Sequence, residues 1–71
     1  MDRTTYCEMM NALANMAQES EAIIQNVTIQ TYNRLIVACR EDIKSMNNSI
    51  LINTGDELIA LPYSSIEYIS I

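Results

Sequence analysis

Few side chains in this chain could move a proton or attack a substrate. Glu41-Asp42 and Asp56-Glu57 are adjacent carboxylate pairs, Cys7 and Cys39 are the two thiols, and there is no His. Neighbours along an extended strand point to opposite faces, so neither acidic pair forms a ready carboxylate dyad. Without an imidazole no Ser has an evident general base, and the only glycine, Gly55, cannot make a phosphate-cradling loop. Cys7 and Cys39 lie far apart, with neither a Cys-x-x-Cys spacing nor a His, Asp or Glu cluster beside them. The opening residues, with Asp2, Arg3 and Glu8, do not read as a secretory signal, which argues against a disulfide. The expectation is a non-enzyme with no catalytic residues, no metal, no cofactor and two buried free thiols.

Composition narrows the partners. Nine acidic residues against four basic ones give a net charge of -5, which disfavours sequence-independent attraction to nucleic acid or anionic lipid, a term that Lys and Arg supply. No apolar run approaches the ~18 residues of a membrane span, so a soluble, cytoplasmic protein with no membrane partner is expected. At 71 residues and 49% apolar content the chain is read as one domain, 1–71. Cores of chains below roughly 70 to 80 residues rarely yield more than about 3 to 5 kcal/mol, and disulfides, metals or association supply the rest. With the first two unpromising here, association is the expected source.

Two regions of different period must carry these groups. Residues 4–24 have helical spacing, with Tyr6, Met9, Met10, Leu13, Met16 and Ala17 recurring and Ile23 and Ile24 following. Thr5 and Glu8 have the spacing of a capping box. The three methionines read as a gap-filling face turned toward the rest of the protein. From residue 26 the period becomes two and β-branched residues take over: Val27, Ile29 and Thr31 alternate with Thr28 and Gln30. Leu35-Ile36-Val37-Ala38-Cys39 is a continuous apolar run, the pattern of a strand covered on both faces. After a polar stretch, 41–48, come strands at 49–53 and 57–61, joined by the turn Asn53-Thr54-Gly55-Asp56. Pro62 ends the fourth strand and 66–71 forms the fifth. The total is one helix and, over 26–71, five short strands. The last strand has one acid, Glu67, and no Lys to defend its edge, so it needs a partner.

Met46-Asn47-Asn48-Ser49-Ile50, with acidic Asp42 before it, resembles the first motif of Sm-like domains, where a Met-Asn pair is followed by an apolar residue three positions after the Asn. Ile66-Glu67-Tyr68-Ile69-Ser70 resembles the end of that family's second motif. The resemblance implies a mainly β fold with one N-terminal helix, a five-stranded, strongly bent Sm-like barrel. It also implies a homo-oligomeric ring of about five to seven copies, in which the fourth strand of one copy pairs with the fifth of the next. The edge residues would be Ile59 and Leu61 on one side and Tyr68, Ile69 and Ile71 on the other. In such rings the two loops facing the pore hold single-stranded RNA. Carried over, Asn47 would contact base edges and Met46 would give an apolar contact, while Tyr63 in the second loop would supply a stacking face and Lys44, with Arg40, phosphate charge.

The chain departs from the family in particular places. Asp42 lies four residues before Met46 rather than three, no Gly occurs between residues 34 and 53, and Pro62-Tyr63 replaces the Arg-Gly pair of eukaryotic and archaeal members. The Lys-His of the Hfq-like branch is also absent. The alternative is a protein-assembly or scaffolding module with no nucleic-acid binding. Leu61-Pro62-Tyr63-Ser64-Ser65-Ile66 also resembles a strand end of bacterial pleckstrin-like domains, a fold with more strands than this chain holds.

Overall fold

A computed structural model describes residues 1–20 and 26–71. Among these, one helix, α1 (Arg3–Glu19), precedes six strands: β1 (Asn26–Thr31), β2 (Leu35–Cys39), β3 (Ile43–Ser45), β4 (Ser49–Asn53), β5 (Leu58–Pro62) and β6 (Ile66–Ser70). They form two antiparallel three-stranded sheets, β2-β1-β6 and β3-β4-β5.

The helix begins earlier than its sequence suggested. Asp2 is the N-cap, its carboxylate accepting the Thr5 amide at 2.7 Å, so the Thr5-Glu8 capping box is replaced by a cap three residues upstream. The same bond, above all, holds the Asp2 carboxyl below its usual range. Of the expected apolar stripe, Tyr6 and Met10 are buried, Met9 and Leu13 pack beside them, and Met16 is exposed. The expected continuation to residue 24, with Ile23 and Ile24, lies outside the described residues.

The strand alternation holds for β1, whose Val27, Ile29 and Thr31 turn inward. For β2 it corrects the expectation of a strand covered on both faces. Ile36 and Ala38 are buried, but Leu35 and Val37 are 56% and 48% exposed. The physical reason is the seat of the helix. α1 lies against β6 and the turn before it, so it does not cover the outer side of β2.

Among the described residues six strands are present where five were expected, because the polar stretch hid one, and they pair as two separate sheets rather than as a closed barrel. Ile43, Lys44 and Ser45 pair with Ile52, Leu51 and Ile50 of β4. A strand of three residues with one apolar side chain shows almost no period, and its existence depends on the partner it finds. Two 3-10 turns join the sheets, Arg40–Asp42 between β2 and β3 and Tyr63–Ser65 between β5 and β6. The corners are built alike. Cys39 and Pro62 enter in the same extended conformation, at φ -67°, ψ 144° and φ -62°, ψ 144°, and the amides of Ile43 and Ile66 close the turns on the carbonyls of Arg40 and Tyr63. Pro62 needs no amide to enter a corner and its ring presets this φ.

Between the sheets lies one core. Val27 and Ile29 from β1 and Ile50 and Ile52 from β4 are its fully buried side chains, each adding roughly 1.5 to 3 kcal/mol on burial. Ile36, Ile66 and Ile69 complete it, with Ile43, Ile59 and Leu61 packed at its margin. Thr31, the buried polar side chain among the described residues, satisfies its hydroxyl on Asn33 Oδ1 or the Arg34 carbonyl, both at 3.2 Å.

Candidate functional site

The connection between β3 and β4 is short and tied down. The Met46 amide donates to the Ser49 carbonyl at 2.8 Å, which leaves Asn47 and Asn48 at an exposed bend. The β5-β6 corner closes against it. The Tyr63 hydroxyl donates to the Met46 carbonyl at 2.7 Å and the Tyr63 amide to the Asn48 carbonyl at 3.3 Å. The two loops singled out in the sequence thus meet, and Tyr63 is the strut between them.

That role uses up the ring. Tyr63 is 3% exposed and packs on Tyr6 of the helix, with centroids 5.4 Å apart and planes tilted by 53°. Its faces are turned to the interior and its hydroxyl is engaged, so it is not an open stacking platform. Tyr6 in turn has its hydroxyl pushed up to about 12, chiefly by burial, with the nearby Tyr63 and Cys7 adding and Arg40 opposing.

A polar cleft of about 410 Å³ opens beside this contact. Asn47 and Asn48 form one wall and the first helical residues the other, including Arg3, which sequence reasoning did not select. Nothing in the sequence singled it out, since it falls before the helix expected from residue 4, and only the earlier start at Arg3 brings it to the cleft. Met46 is exposed at the same loop. Lys44 is elsewhere. It stands across from Leu51 on the outer side of β3-β4-β5, where it and Asp42 flank an apolar groove of about 380 Å³ floored by Leu51, Leu58 and Ala60. The structure therefore joins Met46, Asn47 and Tyr63, and separates Lys44 from them.

The expected edge residues divide as sharply. Among the described residues β5 is hydrogen-bonded to β4 alone and β6 to β1 alone, so within them each strand has one unpaired side. Tyr68 on β6 and Ile71 just after it are exposed, whereas Ile69 is 6% exposed and belongs to the core. Ile59 and Leu61 are half-buried against the core. The bare apolar side chain on β5 is Leu58, 81% exposed, which could have been found by noting that it alternates with Ile59.

Among the described residues no group of three His, Cys, Asp or Glu side chains comes together, and no helix is long and apolar enough to cross a membrane. Cys7 and Cys39 are free and half-buried rather than fully buried. An ion pair, Arg34 with Glu57, links the β1-β2 turn to the start of β5. Both side chains are about half exposed, so the pair adds little stability. Compared with protein-family models, with curated proteins and with solved structures, the chain finds no match.

Proposed function

We propose that this chain is a self-assembling module whose β5 and β6 edges pair between copies to close a homo-oligomeric ring of the Sm-like kind. The observation that carries this is the pair of strands that are half-paired among the described residues, β5 with bare Leu58 and β6 with bare Tyr68, without a Lys on either. Unpaired edges of that composition associate unless defended. Two further features support the likeness. β2 and β3 follow each other through one 3-10 turn and act as a single strand bent between the sheets, which restores a count of five. The second 3-10 turn carries the chain back from β5 to β6, as a strongly bent barrel requires.

Within this reading the assembly is a protein scaffold. Binding of single-stranded RNA is favoured by one observation, the convergence of Asn47, Asn48 and Arg3 on one cleft. It is opposed by the burial of Tyr63, the remoteness of Lys44 and the net charge of -5. Sedimentation velocity tests the assembly. The wild type should sediment as one oligomeric species, and both Leu58→Glu and Tyr68→Glu should reduce it to a folded monomer. Edge variants that leave the oligomer intact would contradict pairing through β5 and β6. In the same samples a fluorescent U-rich or A-rich oligonucleotide should stay unbound at about 50 mM salt; saturable binding that Asn47→Ala abolishes would contradict the scaffold reading.

A further inference from the structure

Between α1 and β3 lies a second cleft, of about 230 Å³, separate from both strand edges and from the Asn47 loop. One wall is a helical stripe, Cys7 and Asn11, four residues apart and so one above the other. The other is one face of β3, Ile43 and Ser45, two residues apart. Tyr6 and Met10 form the floor, both buried.

Arg40 closes the end. It occupies in the first corner the position that Tyr63 occupies in the second, the first residue of the 3-10 turn. Tyr63 fills the core from there, whereas Arg40 is exposed and lines the cleft, near enough for its charge to act on the Tyr6 hydroxyl at the floor. Among the described residues the ion pair is Arg34 with Glu57, and Arg40 holds no carboxylate. The cleft is smaller and more polar than the pockets that take drug-sized ligands, so it suits a ligand of few atoms that uses both its buried floor and, among the described residues, a cation without a carboxylate partner.

We infer that this cleft binds a small organic monoanion, a carboxylate on a short apolar or aromatic body. The carboxylate takes the guanidinium fork in a bidentate pair, the body lies on Tyr6, Met10 and Ile43, and Asn11 and Ser45 offer hydrogen bonds at the rim. One cation in a chain of net charge -5 suits a single negative charge rather than a phosphate dianion. With so small a ligand the affinity is about millimolar.

Cys7 makes the site readable, because it lines the cleft, whereas Cys39, although next to Arg40 in the chain, does not line it and has its thiol on Asn26 Oδ1. Benzoate is the probe and neutral benzamide the control, on the full chain, with alkylation of each cysteine by iodoacetamide followed by peptide mass spectrometry. Benzoate at about 10 mM should slow alkylation of Cys7 at least about threefold and leave Cys39 unchanged. Benzamide should do neither, and Arg40→Gln should remove the protection. Nitrogen-proton correlation spectra of the wild type should place the benzoate shifts on the Asn11 amide and the backbone of Ser45. Equal protection of both cysteines, equal action of benzamide, protection that survives Arg40→Gln, or shifts confined elsewhere would each overturn the assignment.

Discussion

Tyr63 is the side chain on which two loops and the helix depend, and its phenol makes separable contributions. Tyr63→Phe keeps the ring against Tyr6 and loses the bond to the Met46 carbonyl, so urea unfolding should show a loss of about 1 kcal/mol. Tyr63→Ala also opens a cavity and should cost about 3 to 5 kcal/mol. Tyr6 gives a pH signature. Its hydroxyl is raised from 10.0 to about 12, so the folded state resists the phenolate that the unfolded chain forms readily. The associated stability is complete below pH 10 and is lost as pH rises toward 12. Phenolate absorbance should show Tyr6 titrating above the usual tyrosine range, and thermal midpoints should fall across that window. The sequence located the loops that hold Met46, Asn47 and Tyr63, through the Met-Asn pair and the Pro before Tyr63. It could not tell inward from outward at Tyr63, because a residue entering a 3-10 turn follows neither the period of the strand before it nor that of the strand after.

At the level of elements, caps and turns decide where each segment starts and stops. Gly55 has φ +94° with nothing within 4 Å of where a Cβ would lie. Gly55→Ala therefore meets no clash and pays only for its backbone, about 1 kcal/mol or slightly more in chemical denaturation. Asp2 works in the opposite pH range from Tyr6. Its carboxyl is held below 3.8, so its contribution to the helix is present above that pH and lost as acid protonates it. Asp2→Asn should keep most of the cap and flatten the acid limb of the thermal profile, whereas Asp2→Ala should lower the midpoint at neutral pH. The turn at Gly55, the β1 alternation and the helical period were legible because each is a local signal. β3 and the two 3-10 corners were not, since Ile43-Lys44-Ser45 becomes a strand only by pairing with β4. Thr5-Glu8 misled for a related reason: Asp2 offers an equally good oxygen one turn earlier and lengthens the helix.

For the molecule as a whole, the apolar surface is the feature that calls for a partner. Leu35, Val37, Leu51, Leu58, Tyr68 and Ile71 are all exposed, a large share of the big apolar side chains in so small a chain. Of the edge residues expected from the sequence, Ile69 is not a probe of assembly, because its side chain is buried and Ile69→Lys would unfold the subunit. Leu58→Glu and Tyr68→Glu alter bare positions and should leave the subunit fold intact, with circular dichroism unchanged while association is lost. The strand edges were anticipated from the undefended last strand, but which side chains they expose was not, because burial along β6 departs from strict alternation where its register with β1 shifts at Gln30 and Thr31. The most direct test of self-assembly is size-exclusion chromatography with light scattering on the wild-type chain at micromolar concentration. One species whose mass is a fixed multiple of 8.1 kDa, about five to seven copies, is the expected result. A folded monomer of 8.1 kDa would contradict it.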